Sequence, residues 1–280
     1  MQNGWRKMES SNMNYPFFKD KIVVITGSSM GIGKSLALKL AQMGSNVVLN
    51  GRNKERLDQT FKEFYDQNFD AIAINGDISN PYDCELLISK TIEKYGSIDI
   101  IVNNAGISSF GDVNDLTPET ARKVMDVNYL GSHFVSHYAI PYLKKSKGHL
   151  IFIGSLAGIF GLPSFSVYSA SKMALTSLAE SLKIELNTFG IHVGIIYLGF
   201  TKNDTDKMML DKSGSLIPQR NNSEFKPVPR EIVVSQILNH IQKRTFKSVL
   251  TPLGKIMVFI NKFFPSLLTI ILTRKYNQQS

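Results

Sequence analysis

The stretch "KIVVITGSSMGIG", Lys21–Gly33, decides the fold. Its first half is an unbroken Val/Ile run, the pattern of a strand buried on both faces. Its second half places glycines at 27, 31 and 33, where the strand pattern gives way to a helical one. Glycine lets backbone approach a pyrophosphate closely, and free N–H groups at a helix N-terminus favour its negative charge. The spacing differs from the G-x-G-x-x-G of the common dinucleotide loop. A plain strand-to-helix turn would use the same glycines, so the loop needs support from the rest of the chain.

Outward from this loop, apolar runs recur as "NVVLN" (46–50), "AIAI" (71–74), "IDIIVNNAG" (98–106), "GHLIFIGS" (148–155) and "IHVGIIYLG" (191–199). Between them, apolar residues fall at three- and four-residue spacing over Ser35–Met43, Lys54–Phe64 and Tyr82–Tyr95, which predicts helices. "LTPET" supplies a helix start, with Thr117 as N-cap and Pro118 in the first turn. A further helix is expected over 229–244 and a last strand over 247–250. Strands that alternate with helices form a parallel sheet covered on both sides, because parallel neighbours need long crossovers. The fold class is therefore α/β, a Rossmann-like doubly wound parallel sheet, and 280 residues fit one such domain.

Composition narrows the function. Cys84 is the only cysteine, so an intrachain disulfide and a multi-cysteine metal site are excluded, and a reducing compartment fits. The first twenty residues hold no apolar stretch long enough for a signal-peptide core, and a cytoplasmic protein is expected. Net charge is +9, and after Glu231 there is no Asp or Glu, while Lys243, Arg244, Lys247, Lys255, Lys262, Arg274 and Lys275 follow. These cations lie in and beside an apolar tail without interleaved stacking aromatics, so no nucleic-acid partner is expected. His133, His137, His149 and His192 show no metal-ligand spacing with a carboxylate; they read as structural or surface residues, and no metal is expected.

The end of the second strand bears on the cofactor. An NAD site places an acid about 20 residues beyond the loop for the ribose hydroxyls, whereas an arginine accommodates the 2′-phosphate of NADP. "VVLNGRN" offers Gly51 and Arg52 and no carboxylate, with Lys34 adding charge near the loop. NADP(H) is the expected cofactor; the alternative for Arg52 is a solvated surface side chain.

Tyr168 and Lys172 stand four apart in "YSASK". The pattern alone is cheap, since Tyr15 and Lys19 in "YPFFK" match it too. Pro16 biases Tyr15 away from helical geometry, however, and no glycine loop precedes it. For the 168–172 copy, one helical turn points both side chains the same way. A tyrosine titrating near pH 10 needs a nearby positive charge to exchange its proton at neutral pH, and Lys172 is placed to supply it. Ser155 ends the fifth strand, where ligands of open parallel sheets collect, and can donate to a carbonyl oxygen as charge develops on it.

Taken in order, "TGSSMGIG", "GDIS" (76–79), "NNAG" (103–106), Asn128 in "VMDVNYLG", Ser155 in "IGSLAG" and "YSASK" resemble the short-chain dehydrogenase/reductase superfamily in its single-domain form, over roughly 19–250. The resemblance implies Tyr168 as proton donor, Lys172 as its activator, Ser155 as the group that positions the substrate oxygen, and Asn128 as support for a water and Lys172. It implies cofactor contacts from Gly27, Ser29, Gly31, Ile32, Gly33, Arg52, Asp77, Ile78, Asn104, Ala105, Gly106, Tyr168 and Lys172. The implied activity interconverts a ketone and a secondary alcohol with NADP(H). A non-catalytic NADP-binding module or membrane-surface scaffold is the alternative, and it would usually lack one of these residues.

The resemblance departs at the sixth strand. The family's Pro-Gly is Leu198-Gly199 here, and Asn203 stands where a threonine usually bonds the nicotinamide carboxamide; Asn keeps donor and acceptor capacity. Leu-Gly is similar to membrane-associated steroid and keto-lipid reductases, which points to a lipophilic substrate. Residues 200–230 are read as a substrate lid, with Met208, Met209 and Leu210 lining an apolar pocket or packing on the domain. The chain then divides into an N-terminal extension (1–18), a catalytic domain (19–251) and an apolar, basic tail (252–280). Pro265 and Lys262 interrupt the tail, so an interfacial helix-kink-helix on a membrane is expected, or packing on the domain or another subunit. The family resemblance also implies a homodimer or homotetramer.

Overall fold

A computed structural model describes residues 15–201, 204, 207–219 and 227–278. Asn203, residues 1–14 and parts of the expected lid lie outside the described residues. Seven strands form one parallel sheet: β1 (Ile22–Ile25), β2 (Asn46–Gly51), β3 (Ala71–Asn75), β4 (Ile100–Asn103), β5 (His149–Ser155), β6 (His192–Leu198) and, after a hairpin described below, β9 (Lys247–Val249). Their order is β3-β2-β1-β4-β5-β6-β9. The chain winds outward from β1 in one direction and from β4 in the other, so the crevice between these two strands is the switch point where such folds bind ligands.

The unbroken apolar runs follow from burial on both faces. Along β1, Val23 and Ile25 enter one core while Val24 enters the other. The first core is covered by α1 (Gly31–Gln42), α2 (Lys54–Asp66) and α7 (Arg230–Gln242). The second is covered by α3 (Pro81–Tyr95), α5 (Gly131–Ser146) and α6 (Ser166–Glu185). Each fully buried Val, Ile, Leu or Phe contributes roughly 1.5–3 kcal/mol, so the two cores fix the strand register. Helix α4 (Pro118–Met125) starts as expected, with the Thr117 side chain accepting from Thr120 N. Helix α1 begins at Gly31, four residues before the expected start at Ser35, because the apolar periodicity is absent from its glycine-rich first turn.

The region read as a polar lid contains an unforeseen antiparallel hairpin, β7 (Met208–Leu210) paired with β8 (Leu216–Pro218). Its turn is organised by Asp211, whose Oδ1 accepts from Ser213 N and Ser215 N at 2.9 Å each. Met209 and Leu210 are buried and Met208 is exposed. The hairpin docks on the loop after β4: Leu210 N donates to Ser108 O at 2.9 Å, and Phe110 N donates to Leu210 O at 2.9 Å. The tail forms α8 (Pro252–Phe263) and α9 (Pro265–Asn277), broken at Phe264. Leu268 is buried in the second core, and Asn261 Nδ2 donates to Ile159 O at 3.4 Å. Among the described residues, no helix is long and apolar enough to cross a membrane.

Candidate active site

The glycine loop and the "NNAG" turn interlock at the switch point. Thr26 Oγ1 accepts from Asn104 N at 3.0 Å and from Ala105 N at 3.1 Å. Asn104 Nδ2 donates to Thr26 O at 2.9 Å and Gly27 O at 3.1 Å. These contacts explain two glycines. A Cβ on Gly27, where φ is +63°, would stand 2.8 Å from Ala105 Cα, and one on Gly33 would stand 2.4 Å from Gly27 O. Asn104 thus spends its amide on shaping the loop. Ile78 is a core residue whose side chain packs against Gly131 at the start of α5. Ser29 lies against Gly51 at the end of β2, where a Cβ on Gly51 would meet Ser29 Oγ at 2.8 Å. Ile32 is half-buried against the first core.

Arg52 is exposed at the end of β2. It lines a cleft of about 290 Å³ with Asp77, Ser79, Arg122, Lys123 and Asp126, among others. Asp77 is oriented by Ser79, whose N and Oγ donate to Oδ1 at 3.0 and 2.8 Å. Arg122 and Lys123 were not singled out by sequence reasoning. They sit in the last turn of α4, where basic residues suit the helix dipole whatever else they do.

Across the crevice, Ser155 ends β5, and Tyr168 and Lys172 project from the first turns of α6. Lys172 is buried, and its Nζ donates to Ile153 O at 3.0 Å and lies 6.0 Å from the centroid of the Tyr168 ring. Asn128 sits in a π-helical turn, Asp126–Leu130, between α4 and α5; such turns re-aim side chains and recur at functional sites. Its Oδ1 accepts from Ile107 N at 2.8 Å, and its Nδ2 donates to Ile107 O and to Ser171 Oγ, each at 2.9 Å. A Cβ on Gly106 would lie 3.1 Å from Asn128 Oδ1 and 3.3 Å from Lys172 Nζ. Gly106, Asn128, Lys172, Tyr168 and Ser155 therefore share one locale at the carboxyl ends of β4 and β5. The Asn128 amide is committed to Ile107 and Ser171, so it braces the loop after β4 and the α6 turn that carries Lys172.

The electrostatics correct one expectation. The Lys172 ammonium was expected to bring the phenol down, yet Tyr168 lies above its ordinary value: burial pushes it up, and a hydrogen bond with Ser155 opposes this. Burial pushes Lys172 down to about 8, and the positive charge of Lys207 adds to the effect. The phenol is thus held protonated at neutral pH beside an ammonium that still carries its proton.

Comparison with known proteins agrees with this architecture. The family model for short chain dehydrogenase matches residues 21–213. An 11-beta-hydroxysteroid dehydrogenase-like protein of Arabidopsis thaliana is 39% identical over 188 residues, covering 66% of this chain and 60% of the plant protein. A 3-ketodihydrosphingosine reductase of Bos taurus is 33% identical over 238 residues, covering 81% of this chain and 70% of its own length. A solved short-chain dehydrogenase/reductase from Burkholderia phymatum, in complex with NAD, superposes with a TM-score of 0.79 at 22% identity, covering 89% of this chain and 95% of its own. Gluconate 5-dehydrogenase from Burkholderia cenocepacia, in complex with NADP and tartrate, superposes with a TM-score of 0.63 at 28% identity, covering 66% and 74%. The chain belongs to the short-chain dehydrogenase family.

Proposed function

We propose that the chain is an NADP(H)-dependent oxidoreductase that interconverts a lipophilic ketone and a secondary alcohol, with Tyr168 as the proton donor and acceptor. The observation that carries this reading is the convergence of Ser155, Tyr168 and Lys172 at the end of β5, across the switch-point crevice from the glycine loop. The residues fit a dinucleotide. The helix start at Gly31 has in Met30 an N-cap without a side-chain acceptor, and the end of β2 carries Arg52 instead of a carboxylate.

The dinucleotide, when bound, supplies the hydride or accepts it. Ser155 orients the substrate oxygen by donating a hydrogen bond, and Tyr168 delivers a proton from Oη to that oxygen as negative charge develops there. Lys172, fixed by Ile153 O, stabilises the phenolate left behind. A phenol held protonated suits the carbonyl-reducing direction. NADP(H) is supported by the position of Arg52 and not by net charge, since Asp77, Glu119 and Asp126 line the same cleft as Arg52, Arg122 and Lys123.

Similarity to proteins named for steroid and ketosphingoid chemistry supports a lipophilic substrate, and so does the tail. Helices α8 and α9 and the break between them expose Ile256, Phe259, Phe263, Phe264, Leu267 and Ile270, with Lys255, Lys262, Arg274 and Lys275 on the two helices. Tyr276 OH donates to Asp112, in the loop that also meets the β7–β8 hairpin. An apolar, basic surface beside the substrate loops fits peripheral contact with an anionic membrane. Oxidation of NADPH over a panel of steroid, long-chain keto-lipid, sugar and quinone carbonyls tests the reading. Turnover confined to the apolar ketones is expected, and turnover of sugars alone would refute the substrate class.

A further inference from the structure

The segment after β6 reaches back to the glycine loop through one carboxylate. The Gly31 N–H donates to Asp204 Oδ2 at 2.7 Å, and Asp204 Oδ1 pairs with the Arg230 guanidinium. Gly31 opens α1, whose first-turn amides find no acceptor on the N-cap Met30. A helix start carries orphan N–H groups and partial positive charge, so a carboxylate is stabilised there for the same reason as a phosphate. Asp204 is therefore a cap supplied from far along the sequence, at the position where the loop is suited to hold an external anion.

Arg230 is the second half of this arrangement. It is the first residue of α7, its side chain is 22% exposed, and its Nε is buried without a hydrogen-bond partner among the described residues. A guanidinium fork can bind phosphate at two positions, and here only its Nη2 edge meets a carboxylate. Asp204 and Arg230 line a cleft of about 330 Å³ together with Ser29, Met30, Lys34 and Arg56. Lys207, three residues on from Asp204, feels the charges of Asp204 and Arg230 and itself depresses Lys172.

We propose that Asp204 is an internal stand-in for the cofactor's pyrophosphate. It holds the Gly31 amide and Arg230 until the dinucleotide displaces it and takes over both contacts, which makes Arg230 a phosphate-binding residue. This rests on the reading that the glycine loop takes a dinucleotide. Two anions cannot share one N–H donor, so Asp204 competes with the cofactor, and apparent affinity falls by the fraction of molecules in which the loop is open. Cofactor entry also frees the Asp204 carboxylate from the Gly31 amide.

The test is titration of the full chain with NADPH, and separately with inorganic pyrophosphate, in wild type, Asp204→Asn and Arg230→Gln. Asp204→Asn keeps the shape and removes the charge, and is expected to tighten both ligands roughly tenfold. Arg230→Gln is expected to weaken both by a similar factor, and a second neutral variant, Asp204→Ser, guards against a folding defect in the first. Unchanged or weaker binding by both Asp204 variants overturns the proposal while leaving the dinucleotide reading in place. If wild type and variants are all folded by near-ultraviolet circular dichroism and none binds NADPH or NADH, the dinucleotide reading fails and the proposal falls with it.

Discussion

At Lys172, burial is the largest influence on the ammonium and takes it down to about 8. The sign is that of a lysine lowered on folding: below about 8 it is charged, and above that value the charge is lost. If the ammonium assists Tyr168, kcat/KM for ketone reduction is flat from neutral pH and falls as pH rises through about 8. Lys172→Met removes this limb and lowers kcat by roughly 10²–10⁴-fold, measurable in a pH–rate profile with saturating NADPH. Arg52 gives a second expectation: Arg52→Ala erodes the preference for NADPH over NADH by about 1.5–3 kcal/mol, or roughly ten- to hundredfold in the ratio of kcat/KM. Both residues could be named as candidates from the sequence, Lys172 by its helical spacing from Tyr168 and Arg52 by standing where an acid would mark an NAD site. Asp204 and Arg230 could not be, since Asp204 meets Gly31 across 173 residues of sequence and Arg230 enters only through Asp204.

The loops and helices differ in how much of them the sequence reveals. The strands from β1 to β6 and helices α1, α2 and α3 announce themselves by their apolar patterns, because each buries a continuous face, whereas α4 showed only its cap and α5 was not read from the sequence. The hairpin β7–β8 does not announce itself either: its two strands are three residues each, and its register depends on Asp211 binding the amides of its own turn. Within the glycine loop, Gly33→Ala places a methyl against Gly27 O and the Asn104 amide. It is expected to destabilise the protein by about 1–3 kcal/mol and to weaken NADPH binding, read by thermal melting and titration. For α8 and α9, the break before Pro265 and the basic flanks were readable, and packing on the domain was one of the readings the tail allowed, but its anchor, Leu268 in the second core, was not legible. Combined Phe259→Ser, Phe263→Ser and Phe264→Ser is expected to release the full chain from anionic liposomes in co-sedimentation while leaving its melting temperature intact. Equal sedimentation of variant and parent would rule out the apolar face as the membrane contact.

The whole molecule carries a stability term that no local motif signals. His149 at the start of β5, His192 at the start of β6 and His240 on α7 lie in a row, with ring centroids 5.3 and 6.4 Å apart. All three are buried, and burial brings them down to about 3, 4 and 4, respectively. The spacing of His149 and His192 along the chain told nothing of this, because parallel pairing of β5 with β6 is what sets them side by side. Histidines lowered on folding stabilise the protein fully above about pH 6.5 and lose that contribution as pH falls toward 4. At pH 5 each costs about 2 kcal/mol. The melting temperature is therefore expected to drop by about 5 °C or more between pH 7.5 and 5, and His149→Phe should reduce that drop.

The role of Tyr168 is tested most directly by single-turnover reduction of an apolar ketone by prebound NADPH, comparing the wild type with Tyr168→Phe. Loss of the chemical step by about 10²-fold or more, with NADPH bound as tightly as before, is the predicted result. Undiminished turnover by the phenylalanine variant would show that the proton comes from elsewhere and that Ser155, Tyr168 and Lys172 are not the centre of the reaction.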